Sequence, residues 1–186
     1  MTYLITQAAK YVTLLLTVVY VINTFFMLQK EDSEQVGSYR FNVFLVFGIH
    51  FSCFLAILIH QRSMEYVIFY IAQVVFFAVY LFVYRLIYKK CNLLIQSNVF
   101  LLLAVGFSIL TRLNFDKAEK QFLICIGASV VALIMPKLLE KVRVTKALAG
   151  VLGVIGILLL MLVLVLSRTT YGANLSLSIG GISVQP

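Results

Sequence analysis

Six apolar runs, each close to the length of a membrane span and separated by short charged stretches, leave this chain very few folds. A helix rises 1.5 Å per residue, so about 20 apolar residues cross the roughly 30 Å hydrocarbon core of a bilayer. Within that core every backbone N–H and C=O must find its partner inside the protein, and a helix satisfies them within one run. The runs cover approximately Tyr11 to Leu28, Phe41 to Ile59, Tyr66 to Tyr84, Asn92 to Thr111, Gln121 to Leu139 and Ala147 to Ser167. An all-α, polytopic integral membrane protein with about six transmembrane helices is expected. The composition, 62% hydrophobic with 12% charged residues, lies far from that of a soluble domain. The first run is long enough to span and lacks a small-residue cleavage site, so it is not read as a cleaved signal peptide.

The charges mark the loops. All seven acids fall between the runs: Glu31, Asp32 and Glu34, then Glu65, Asp116, Glu119 and Glu140. An ionised carboxylate in hydrocarbon costs several kcal/mol or neutralises, which is why these positions are read as water-exposed. Six spans place the loops alternately on two sides. One side holds Lys30, Arg40, Arg85, Lys89, Lys90, Lys137, Lys141, Arg143 and Lys146; the other holds Lys10, Arg62, Arg112, Lys117, Lys120 and Arg168. The positive-inside rule makes the richer side cytoplasmic and puts both termini outside. Basic residues split among short loops form no nucleic-acid surface, and no nucleic-acid partner is expected.

Chemistry-bearing residues inside the spans are few. Cys53, Cys91 and Cys125 stand singly, and His50 and His60 lie too far apart to share a metal on one helical turn. His50, near the middle of the second run, is expected to be a neutral histidine bonded to a neighbouring helix, because no carboxylate lies in a span to pair with it. Tyr66, Tyr70, Tyr84 and Tyr88 fit interfacial belts at the two ends of the third run. Pro136 near the end of the fifth run frees a carbonyl close to headgroup water. Ala149, Gly153 and Gly156 share one helix face and are expected to form a packing seam.

Directly after the sixth run stand Gly172-Ala173, then Gly180-Gly181, Ser183 and Gln185-Pro186. This spacing resembles the loop after the third core helix of the SEDS proteins (shape, elongation, division, sporulation), the RodA/FtsW/SpoVE-like peptidoglycan glycosyltransferases, whose motif continues Gln-Pro-Ser-Glu. The earlier helices resemble the family more loosely. Leu101 to Gly106 followed by Thr111-Arg112-Leu113 is similar to its first core helix and outer loop, and Lys120-Gln121 with Gly127 to the opening of its second. Where many members carry a basic and aromatic patch, this chain has Asn174-Leu175-Ser176.

The resemblance implies an N-terminal segment of a longer protein, with residues 1–90 an additional three-helix module and 91–186 the first three core helices plus the start of an outer loop. It implies a bacterial plasma-membrane enzyme that polymerises lipid II for cell shape, division or sporulation, with a class B penicillin-binding protein (transpeptidase) as partner. The catalytic Asp is expected beyond residue 186, so no catalytic residue falls in this segment, which alone is expected to be inactive. Candidate substrate-binding residues are Arg112, Lys120, Gln121, Ser183 and Gln185, and Gly172, Ala173, Gly180, Gly181 and Pro186 complete the motif. No cofactor is expected within these residues; a divalent cation is left to the full-length protein. Glu65, Asp116 and Glu119 are read as solvated loop charges. Two rival readings are a transporter of lipid-linked precursors and a non-enzymatic scaffold of the cell-wall machinery.

Overall fold

Two of the connections are so short that the helices are stopped and restarted by one or two residues: Arg62 and Ser63 between the second and third helices, and Asn114 between the fourth and fifth. Ser63 caps the third helix, its hydroxyl accepting from Glu65 N at 3.3 Å, and Arg62 takes a positive φ of 50° to turn the chain just before it. Asn92 caps the fourth, its side-chain oxygen accepting from Leu94 N and Ile95 N at 3.1 and 3.0 Å. The computed structural model describes residues 2–30, 35–89, 91–141, 146–166, 168–170, 173–179 and 182–184.

Six helices follow in order: α1 (Thr2–Leu28), α2 (Gln35–Gln61), α3 (Met64–Ile87), α4 (Leu93–Leu113), α5 (Phe115–Lys141) and α6 (Lys146–Leu166). Every expected span is a helix, and the all-α class holds for them. Most helices overrun the apolar runs, because a helix need not stop where hydrocarbon does. α1 begins nine residues before Tyr11 and α5 six before Gln121, and α5 carries Pro136 inside it. Among the described residues α1 to α5 are each long and apolar enough to cross a membrane. α6 spans 21 residues with Lys146 its one charge. The protein is a multi-pass membrane protein.

The chain divides into two compact units, residues 1–133 and 134–186. In the first, α2 occupies the centre and packs on α1, α3 and α4, so helices from both sides of residue 90 belong to one body. Its core joins Tyr39, Leu45, Ile49 and Phe54 of α2 to Phe69, Phe77 and Leu81 of α3 and to Phe100, Ala104 and Phe107 of α4. α5 enters this core through Ala118 and Phe122, the latter edge-on to Phe69, Phe76 and Phe107 at 5.4 to 5.6 Å between centroids. The outward faces of the helices are apolar and exposed, as lipid-facing surfaces require.

In the second unit the stretch after α6, expected as loop, pairs as β1 (Arg168–Thr170), β2 (Ala173–Ile179) and β3 (Ile182–Val184) in an antiparallel order β1-β2-β3. Thr170 stands opposite Ala173 and Ile179 opposite Ile182, each connection leaving two intervening residues. The signal was in the sequence: Asn174-Leu175-Ser176-Leu177-Ser178-Ile179 alternates polar and apolar residues with the period of a strand. On the small-residue face of α6, a Cβ built on Gly153 or Gly156 finds nothing within 4 Å among the described residues.

Candidate functional site

Asn114 alone joins α4 to α5, and it does so by capping both. Its N–H donates to Leu110 O at 2.9 Å, ending α4; its side-chain oxygen accepts from Lys117 N at 3.0 Å and its carbonyl from Ala118 N at 3.1 Å, starting α5. The corner is fixed from inside by Phe115, whose ring packs on Tyr66 at 4.5 Å and Phe69 at 5.2 Å. Around it stand the candidate cations: Arg112 in the last turn of α4 and Lys120 in the second turn of α5, with Gln121 beside it. All three are exposed, as are Asp116, Glu119 and Glu65. The corner therefore presents charge of both signs to water at one end of the first unit, with the cations free to extend toward an anionic headgroup.

The other candidates fall in the second unit. Ser183 lies in β3 opposite Ser178, and Ala173 opens β2. Gly172, Gly180, Gly181, Gln185 and Pro186 lie outside the described residues. Among the described residues no three His, Cys, Asp or Glu side chains are grouped so as to hold a metal.

Beyond His50, the sequence reading missed a system of uncharged polar side chains buried in the first unit. Asn42, His50, Gln73 and Ser97 are fully enclosed. Near one end, Asn23 and Asn42 tie α1 to α2, Tyr20 donates to Asn98 at 2.8 Å, and Tyr39 donates to Gln96 at 3.0 Å. Toward the other end, Thr13, Ser52 and Cys53 bring α1 onto α2, with Thr13 Oγ1 donating to Ser52 Oγ at 2.9 Å. The available signal was positional, since an uncharged polar residue inside an apolar run is stabilised by facing another helix.

His50 sits between these groups. Its Nδ1 lies 3.4 Å from Ala104 O and 3.5 Å from Ser108 Oγ on α4, while Ser108 itself donates to Ala104 O at 2.7 Å. With that hydroxyl proton committed, the tautomer carrying its proton on Nδ1 suits both neighbours. The ring is enclosed by Phe54, Tyr70 and Phe77 at centroid distances of 4.8, 5.3 and 5.4 Å. Among the described residues no carboxylate contacts it, and its ring nitrogen faces α4 as the sequence suggested. Tyr70 thus serves the interior, and Tyr88 donates at 2.6 Å to Leu133 O of α5, so both do more than anchor at an interface.

A second basic feature lies at the end where α2 begins and α3 finishes. The Arg85 guanidinium stands over the Tyr39 ring at 4.8 Å, with Arg40 and Lys89 on the same groove and Val43 and Phe82 among its apolar walls.

Comparison with protein-family models, with curated proteins and with solved structures finds no match to this chain. Fold and site together define a multi-pass helical membrane protein with an apolar exterior and a polar, acid-free interior among the described residues.

Proposed function

We propose that this chain is the N-terminal part of a SEDS-type peptidoglycan glycosyltransferase, acting on lipid II in a bacterial plasma membrane beside a class B penicillin-binding protein. One observation carries the reading: the Gly172-Ala173, Gly180-Gly181, Ser183, Gln185-Pro186 spacing that directly follows the last apolar helix. The charge asymmetry of the loops supports an orientation with that motif on the outer face, where a lipid-linked sugar donor presents its headgroup.

Joining sugars from a diphosphate-linked donor requires a base for the attacking hydroxyl and positive charge for the departing diphosphate. Arg112 and Lys120 are exposed cations at one end of the first unit and suit the second task as charge-assisted donors, with Gln121 beside them. Ser183 and Gln185 belong to the motif and would shape the entry to the helix after it. The base is assigned to an Asp in a later outer loop.

Glu65, Asp116 and Glu119 are all exposed, which favours a supporting role for this segment and keeps the scaffold reading as the second. Glycan-chain formation from purified lipid II, with the partner transpeptidase present, tests both. The longer gene product is expected to polymerise and residues 1–186 alone to insert without doing so. Polymerisation by residues 1–186 that is lost in Asp116→Asn or Glu119→Gln would overturn the division between supporting and catalytic parts. Precursor translocation without polymerisation by the longer product would favour the transporter, and neither activity the scaffold.

A further inference from the structure

We propose that the groove between the N-terminal end of α2 and the C-terminal end of α3 is a binding site for an anionic phospholipid of the adjacent leaflet, the phosphate seated on Arg85, Arg40 and Lys89. Cations at the ends of membrane helices ordinarily snorkel as mobile anchors. Arg85 is different because its guanidinium is held. It rests on the Tyr39 ring at 4.8 Å, and that ring is itself fixed, only 3% exposed, with its hydroxyl donating to Gln96 on α4 at 3.0 Å. Three helices therefore set the position of one charge. A guanidinium immobilised before binding loses less freedom on meeting a phosphate, and its planar fork can donate two parallel hydrogen bonds to it.

The rest of the groove suits the remainder of a lipid. Arg40 follows Tyr39 directly, and Lys89 lies four residues beyond Arg85, just past the end of α3, so the three cations line one mouth, and among the described residues no acid lines it with them. Below them Val43 and Phe82 provide an apolar wall along which an acyl chain can lie. Charge complementarity selects the occupant: a net negative headgroup gains from all three cations, whereas a zwitterionic one brings its own ammonium. Residues 31–34, which carry three acids, lie outside the described residues. The site is far in sequence from the Gly172 to Pro186 motif, and its assignment stands independently of the glycosyltransferase reading.

The test is lipid retention by the purified full chain, released from mixed phosphatidylglycerol and phosphatidylcholine membranes and read by native mass spectrometry. The wild type is expected to retain phosphatidylglycerol preferentially. Arg85→Gln should lower that retention about fivefold, the worth of one basic contact at a membrane surface. Tyr39→Leu, which keeps all three charges and removes the platform, should lower it as well, and Lys10→Gln on α1 should not. Equal retention in Arg85→Gln, an equal loss in Lys10→Gln, or no preference over phosphatidylcholine would each overturn the site. Displacement of the lipid by inorganic phosphate alone would do so too, since it would show an anion site without the acyl contact. Circular dichroism checks folding of each variant; if Arg85→Gln does not fold, the Arg40→Gln, Lys89→Gln double variant carries the same expectation.

Discussion

Asn23 on α1 donates through its side-chain amide both to Asn42 Oδ1 at 2.8 Å and to Ser38 O at 2.9 Å, and Asn42 in turn donates to Thr24 Oγ1 at 3.1 Å. Three interhelical hydrogen bonds thus cluster where α1 meets α2. Lipid tails are as apolar as leucine, so burial of apolar surface gives these helices little reason to associate; close packing and such polar contacts do.

Asn42→Leu keeps the side-chain size and removes two of the three bonds. Stability is expected to fall by about 1–2 kcal/mol, and a double-mutant cycle with Asn23→Leu should return a coupling of about 0.6–1.7 kcal/mol. Unfolding in mixed detergent measures both. Additivity of the two variants would show that the pair contributes through packing alone.

His50 offers a separation of packing from hydrogen bonding. His50→Phe retains a ring among Phe54, Tyr70 and Phe77 and loses the long contacts to Ala104 and Ser108, and Ser108 remains bonded to Ala104 O. The expected cost is within about 1 kcal/mol, as for shape-conserving core exchanges, against about 3 kcal/mol for His50→Ala, which opens a cavity. Thermal unfolding of the three proteins decides it. Destabilisation of His50→Phe as large as that of His50→Ala would show that the contacts to α4, rather than the shape of the ring, carry the site.

Gly48 on α2 is approached closely by Leu16 of α1. A Cβ built there meets Leu16 Cδ1 at 3.3 Å, tighter than ordinary contact, yet the neighbour is the end of a flexible side chain. Gly48→Ala is therefore expected to be tolerated, its gain in helix propensity of up to about 1 kcal/mol offsetting a small shift of Leu16. Gly48→Leu should cost about 1–3 kcal/mol through overpacking and loosen α1 first. Hydrogen exchange resolved by helix reads this out. Uniform loosening of the whole first unit would show that α1 does not detach separately.

The number of helices was legible because the length of an apolar run and the charges at its ends act on each span separately. Which side of each span faces the protein was not, since leucine, valine and phenylalanine occur all round these helices and the same residue types suit lipid and core. Uncharged polar residues carry that information: Asn42, His50, Gln73 and Ser97 are all enclosed. The helix ends could also have been read more closely, since Asn114-Phe115-Asp116 is a cap followed by an acid in the first turn, a sufficient signal that α5 starts before Gln121. Of the candidate substrate-binding residues, Arg112 and Lys120 could be assigned to helix ends from sequence alone. Ser183 could not be placed in a strand without attention to the alternation at 174–179.

The orientation of the chain is open to direct measurement. Lys30, Arg40, Arg85 and Lys89 stand at one end of the first unit, while Arg62, Arg112, Lys117 and Lys120 stand at the other among Glu65, Asp116 and Glu119. Lys137 to Lys146 add basic residues to the first set along the sequence, and cytoplasmic loops are the ones that gather such residues. With Cys53, Cys91 and Cys125 replaced by Ser, a cysteine introduced at Lys141 should resist a membrane-impermeant thiol reagent in intact cells, and one at Asn174 should react. The two should react alike once the membrane is permeabilised. The reverse pattern would invert the topology, place the Gly172 to Pro186 motif on the cytoplasmic face, and count against the proposed function.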